Sequence, residues 1–432
     1  MDTMQSVFDF LNAGVSPWHA AAAAAAQLDA AGYTRLDETS SWSLEPEGKY
    51  YVTRNGSAVL AFRIPAKPIQ GWRIALAHGD NPTWRIKNAD VQKAGYCKLE
   101  TEGYGSMIMS TWLDRPLTVA GRAMVKTAQG MESRLVYIDR DLLTIPNVAI
   151  HFDRSVNDGR KWDPQVDMQP LFGPAGCRSL KELVAQAAGV APEDLLTWDL
   201  CLVTRQKATC IGPDGEYFMS PRIDDLECAS TTLLAFLASQ APEDIAPVWG
   251  LLDNEEVGSS SRQGAQGTFL ADVLDRILAA LAQDVQARWR LSANSLIVSA
   301  DNGHAIHPNH PEKSDPENAP ALNGGVVLKM NASQKYTTDA VSGALFESIC
   351  RQIGVPTQRL ANRADIPGGS TLGNLQGHSI GAPMLDIGLA QLAMHSAVET
   401  AGVQDIQYMV QAVTAFYGAS IRCVADGRYQ LD

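Results

Sequence analysis

Pro247-Val248-Trp249-Gly250-Leu251-Leu252, followed at once by Asp253-Asn254-Glu255-Glu256, is the stretch that decides how this chain folds. A short apolar run without alternation reads as a strand buried on both faces, and the polar groups after it mark where the strand leaves the core. The same pattern recurs at Ile74 to Ala77 before His78, at Ser295 to Ala300 before Asp301, at Gly325 to Met330 and at Ala382 to Leu385. Helix-like stretches lie between several of them, including Asp224 to Ser239 and Ala271 to Leu291. Strands alternating with helices predict an α/β fold, with a mixed, largely parallel sheet flanked by helices. In such a sheet ligands gather at the carboxyl ends of the strands. Near the start, Ser16 is placed to cap a helix that has Pro17 in its first turn. The alanine run from Ala20 to Ala26 carries this helix forward, and Gly32 is its stop signal.

The stretch from about Asn81 to Pro221 has a different character. Short β-like pieces alternate with turn signals at Gly95, Gly103, Gly105, Pro116, Gly121 and Pro146, and a polar loop runs from Ser155 to Gln169. The reading is a discontinuous domain, 1–80 with 222–432, into which a β-rich domain of residues 81–221 is inserted.

Composition narrows the function. The 432 residues carry 48 acidic and 35 basic side chains, a formal charge of −13, and no Lys/Arg stripe, so nucleic acid is not an expected partner. No apolar run approaches the ~18–20 residues that span a bilayer, so no membrane partner is expected. The start, Met-Asp-Thr-Met-Gln, has no basic region leading into an apolar one, and no secretory signal is expected there. Seven cysteines are scattered and never spaced C-x-x-C, which is neither a disulfide framework nor a zinc ribbon. A reducing, cytoplasmic compartment is the expectation.

The strand ends hold the chemistry: His78-Gly79-Asp80, Asp224-Asp225 after the insertion, Glu255-Glu256, Asp301, and His395 farther on. Singly, each has an ordinary reading: a cap or turn for Asp224 or Asp301, solvated surface for Glu255-Glu256, a satisfied core histidine for His395. The same holds for His19, His304, His307, His310 and His378. Gathered in one volume, however, the carboxylates would repel one another unless cations neutralised them. Two divalent ions would do so, and His with Asp/Glu suits zinc. H-E-x-x-H and the phosphate-loop pattern are absent from the sequence. Gly368-Gly369-Ser370 reads as a turn.

An ordered series of motifs resembles the aspartyl aminopeptidases, a family of cocatalytic two-zinc metallopeptidases. It runs Ser16-Pro17-Trp18-His19-Ala20, Ser110 to Leu117, Pro146 to His151, Pro221 to Leu226, Asp253 to Ser259, Ser299-Ala300-Asp301, His307-Pro308-Asn309 and Gln391 to Ser396. The resemblance implies a zinc-peptidase-like catalytic domain and an inserted dimerisation domain. It puts His78 and His395 on different zinc ions, bridged by Asp224, with Asp301 joining His78 and Glu256 joining His395. Asp80 would orient His78, and Glu255 would be the general base, taking a proton from the attacking water and giving it to the leaving amine. Co²⁺ or Mn²⁺ could occupy the same ligands. Substrates would be peptides with an acidic N-terminal residue, met by Lys329 and His304. His151 would reach a neighbouring subunit's site, within a homododecamer built from dimers. Departures from the family pattern occur at Gly79, at Asn302-Gly303 and at Gly368. They leave the ligand set intact and bear on pocket shape. The alternatives are a related aminopeptidase of neutral or broad preference and a metal-poor, non-catalytic scaffold.

Overall fold

The computed structural model describes residues 2–377 and 379–431; His378 lies outside them. Its centre is a nine-stranded sheet. In spatial order the strands are Thr34–Leu36, Lys49–Arg54, Ala58–Arg63, Ile245–Leu252, Gly71–His78, Leu296–Ala300, Met384–Gly388, Val326–Met330 and Thr357–Ala361. Five of the eight neighbouring pairs are parallel and three antiparallel, which makes the sheet mixed and largely parallel.

Every residue of Gly71–His78, Ile245–Leu252 and Leu296–Ala300 is buried. This explains why their sequences do not alternate: both faces are covered. Leu252 pairs with His78, and Ser299 with Leu76. The three parallel strands therefore end together, and the polar residues following them emerge at one edge. One face is covered by the helices Thr3–Ala13, Pro17–Ala30, Ile223–Ala238, Ala340–Gln352 and Val403–Gly418, and the other by Phe269–Ala280 and Ala287–Ala293.

The first of these helices to be legible in sequence forms as read. Ser16 caps Pro17–Ala30, its side chain accepting from the His19 amide and lying 2.7 Å from His19 Nδ1, and Gly32 follows with φ +78°. Ser16→Ala should lower stability by about 1 kcal/mol. Urea unfolding of the two proteins checks this, and coincident midpoints would refute it.

The expected continuous stretch Ala271 to Leu291 is instead two helices, Phe269–Ala280 and Ala287–Ala293. The chain breaks at Ala282, φ +53°, and the Asp284 carboxylate accepts the Ala287 amide at 2.9 Å, starting the second helix afresh.

A separate six-stranded antiparallel sheet is formed by Gly130–Tyr137, Leu117–Thr127, Leu195–Thr204, Thr83–Lys93, Tyr96–Tyr104 and Leu171–Pro174. It has its own core around Trp84, Leu99, Trp112, Val119 and Val184. Two strands within the expected insertion do not join it. Thr209–Ile211 and Tyr217–Ser220 extend a sheet containing Glu399–Gly402, Ala390–Leu392 and Gly303–His304. Sheet membership thus passes back to the larger unit near Thr204 rather than at 221, because Phe218 is buried in the larger core.

Candidate metal centre

Three of the predicted groups arrive on the carboxyl ends of adjacent strands: His78 closes Gly71–His78, Glu255 and Glu256 follow Ile245–Leu252, and Asp301 follows Leu296–Ala300. Asp224 comes from the first turn of Ile223–Ala238, where its backbone is not yet helical, φ −78° and ψ 108°. His395 comes from the loop after Ala390–Leu392.

These side chains converge. Asp224 turns one oxygen to each imidazole: Oδ1 lies 3.3 Å from His78 Nε2 and Oδ2 lies 3.4 Å from His395 Nε2. Asp301 Oδ1 is 3.9 Å from His78 Nε2, and Glu256 Oε2 is 3.3 Å from His395 Nε2. The groups His78–Asp224–Asp301 and Asp224–Glu256–His395 each bring their ligand atoms within 4.8 Å of one another and share Asp224.

The surroundings fix these orientations. His78 Nδ1 lies 3.0 Å from the Asp80 main-chain oxygen, which leaves Nε2 facing the cluster. The Asp80 carboxylate, expected to be that partner, stands farther away at 3.5 Å. Its oxygens are taken by the Tyr104 hydroxyl at 2.7 Å and the Glu255 and Glu256 amides at 3.1 and 3.2 Å. Asp80 therefore braces the Glu255–Glu256 turn. That turn is a short 3₁₀ segment, entered through Asn254 at φ +64°. His395 also has a left-handed backbone, φ +66°, unfavourable for a residue with a Cβ. The buried Glu399 carboxylate holds it by accepting the His395 amide at 2.7 Å and, on its other oxygen, the Asp224 amide at 3.1 Å.

Among the described residues, Asp224 Oδ1 and Glu256 Oε1 are buried without a hydrogen-bond partner. Burial and the neighbouring Asp224 drive Glu256 well above the ordinary carboxylate range. Burial, then the Asp301, Asp80 and Asp224 carboxylates acting against His78, push Glu255 up to about 8. A set of imidazoles and acids this close, with oxygens left over, is the donor chemistry of divalent cations. The residues present fit such ions.

A pocket of about 320 Å³ opens over the cluster, lined by Glu255, Asp301, Lys329, Tyr336 and Ser370 among others, with His304 at an exposed position on its wall. Lys329 does not reach up to open water. It is 2% exposed, its Nζ lies 3.1 Å from Asp301 Oδ2, and the pull of burial on its pKa is more than offset by Asp301. His151 is in an exposed turn and is not among the residues lining this pocket. His307 and His310 stack on each other outside the pocket, 5.3 Å between ring centres.

Tyr104, Asn254, Tyr336 and Glu399 were not singled out by sequence. Glu399 carries the one usable signal, an acid four residues after His395 in an otherwise apolar and small-residue stretch.

Residues 10–417 match the model of the aminopeptidase I zinc metalloprotease family, M18. A probable M18 family aminopeptidase 2 from Clostridium acetobutylicum is 39% identical over 428 residues, covering 96% of this chain and 99% of that protein. A chain in the cryo-EM structure of the Ape4 and Nbr1 complex superposes with a TM-score of 0.93 at 34% identity, covering 96% of this chain and 85% of that one. The S. cerevisiae mApe1 dodecamer gives a TM-score of 0.85 at 28% identity, covering 96% of each chain. The chain belongs to the M18 family of zinc metalloproteases. It is a metallo-aminopeptidase, a hydrolase of N-terminal peptide bonds.

Proposed function

We propose that this aminopeptidase removes acidic N-terminal residues, Asp or Glu, from peptides, using two zinc ions per subunit. The observation that carries the two-ion reading is Asp224, whose two oxygens face two imidazoles at 3.3 and 3.4 Å. His78, Asp224 and Asp301 would hold one ion and His395, Asp224 and Glu256 the other, Asp224 bridging them. Such ions supply an acidified water and a polarised carbonyl. Glu255 stands at the pocket wall as the general base that accepts the water's proton and returns it to the leaving amine. Asp80 is a positioning residue, since it holds the Glu255 and Glu256 amides.

Acidic preference is supported by Lys329, a buried ammonium at a pocket wall otherwise rich in carboxylates, with His304 nearer the mouth. A substrate carboxylate is attracted there by a charge that water screens weakly. Lys329→Ala should lower kcat/KM for Asp- and Glu-peptides by about 10–100-fold, the loss of a charge-assisted bond or two, and change Leu- or Ala-peptides far less. Hydrolysis of a panel of N-terminal residues by both proteins tests this. A uniform loss across the panel, or a wild type that prefers Leu, would favour a neutral or broad specificity.

The six-stranded unit is the proposed dimerisation domain, and His151 its contribution to a neighbouring subunit's pocket. Its exposed turn, with Val148, Ile150 and Phe152 also exposed, supports this, as does the dodecameric relative for a homododecamer. The seven free cysteines support a reducing, cytoplasmic setting. Among the described residues no helix is long and apolar enough to cross a membrane.

A further inference from the structure

Cys97 and Cys177 meet inside the six-stranded unit, and neither lines the pocket over the metal cluster. Cys97 lies on strand Tyr96–Tyr104 and stands opposite Gly173 of the edge strand Leu171–Pro174. The chain then reverses through Pro174 to Cys177. The Cys177 amide donates to the Pro174 carbonyl at 3.1 Å, and Gly176 supplies the positive φ, +74°, that such a turn needs. This turn lays the Cys177 side chain back over Gly173: a Cβ at 173 would stand 2.8 Å from Cys177 Sγ and 3.1 Å from its Cβ. Residues facing each other across an antiparallel pair carry their Cβ atoms about 4.5–5.5 Å apart. The Cys177 thiol therefore fills the place of the side chain that position 173 lacks, beside Cys97, and the two thiols are hydrogen-bond partners.

The backbone holds this pairing without a bond between the sulfurs. The Ala175 amide donates to the Gly95 carbonyl at 3.0 Å, tying the turn to the neighbouring hairpin. Asp90 Oδ1 lies 3.9 Å from Cys97 Sγ and accepts the Leu180 amide at 3.1 Å, where helix Leu180–Ala187 begins. Both cysteines are free thiols, and they differ in access. Cys177 is half-buried, whereas Cys97 is 1% exposed. Burial, then the Cys177 thiol, pushes Cys97 up to about 11. A thiol that stays protonated is a poor first nucleophile, so Cys177 is the one that an oxidant meets.

We propose that Cys97 and Cys177 are a reversible oxidation site for hydroperoxides, at which an intrachain disulfide closes. The Cys177 thiolate attacks the peroxide: an S–O bond forms, the O–O bond breaks, and the departing oxygen takes a proton and leaves as water or an alcohol. The Cys97 sulfur then attacks Cys177 Sγ. The S–S bond forms, the S–O bond breaks, and hydroxide leaves as water with the Cys97 proton. Two thiols lose two electrons in all, and the peroxide gains them. Disulfides of reducing compartments are usually transient, and exchange with a small dithiol reopens this one.

Closure clamps the four-residue edge strand, and the turn leading to helix Leu180–Ala187, onto strand Tyr96–Tyr104. The loop so closed is long, the case in which a cross-link removes the most freedom from the unfolded chain. The same strand ends at Tyr104, whose hydroxyl donates to Asp80, so the disulfide fixes one root of the site without touching a proposed ligand. The proposal does not depend on substrate preference or on the number of metal ions.

Metal-loaded, full-length enzyme, reduced and then freed of reductant, is titrated with hydrogen peroxide, alkylated, digested without reductant and mapped by mass spectrometry. A peptide pair joining Cys97 to Cys177, lighter by two hydrogens than its thiol forms, is expected, and dithiothreitol should abolish it. The oxidised wild type should melt a few degrees above the reduced protein. Cys97→Ser should instead stall Cys177 as a sulfenic acid that dimedone labels. The exposed Cys210 shows that the dose was effective. Oxidation of Cys210 while Cys97 and Cys177 are both still alkylated would overturn the proposal. So would a disulfide joining either one to another cysteine or to a second subunit, and neither result needs a variant to fold.

Discussion

Glu255→Gln is expected to retain the full cation content of the wild type and to lose roughly 10²–10⁴-fold in kcat, the usual contribution of a general base. Glutamine keeps the shape of the side chain, and the structural bond at this position is made by the main-chain amide to Asp80, which the substitution leaves in place. What disappears is a carboxylate able to accept a proton. Steady-state kinetics combined with elemental analysis of the purified protein separates the two effects. A variant that hydrolyses peptides at near wild-type rate would remove Glu255 from the role, and one that has lost its metal would make it a ligand instead.

Asp224→Asn should be more damaging to the site's architecture than any other single ligand change. Asparagine offers one neutral oxygen where Asp224 turns an oxygen to each of two imidazoles. Loss of a supporting partner around a metal typically costs 10–100-fold in affinity or activity, so loss of a shared ligand should exceed about 100-fold in both. Metal content per subunit should fall, while the far-ultraviolet circular dichroism should be unchanged. Full metal content in a folded Asp224→Asn protein would exclude the bridging role.

Much of this site was legible in the sequence because strand ends are. An apolar run that stops at His78, at Asp253 or at Asp301 says both that a strand ends and that a polar group stands at its exit. Burial on both faces explains why those runs do not alternate. The bracing was not legible. Tyr104 lies in the six-stranded sheet, yet it hydrogen-bonds Asp80 from 24 residues away and Asn254 from 150. Glu399 stands out locally only as an acid in an apolar and small-residue stretch, and that does not say which amides it accepts. The break at Ala282 was missed for a similar reason: an apolar period of 3.6 continues across it, and only the turn geometry and the Asp284 bond show where the helix restarts.

By itself the sequence determined the class of fold, five strands of its central sheet and the residue types that stand at the strand ends, since these follow from local periodicity. Tertiary structure alone decided that Asp224 faces both imidazoles, that Asp80 supports the Glu255–Glu256 turn more than the His78 ring, and that Lys329 is sealed against Asp301 instead of reaching water. The physical reason is range. Periodicity and capping act over a few residues, whereas these contacts join segments up to about 175 positions apart, and their geometry exists only once the sheets have packed.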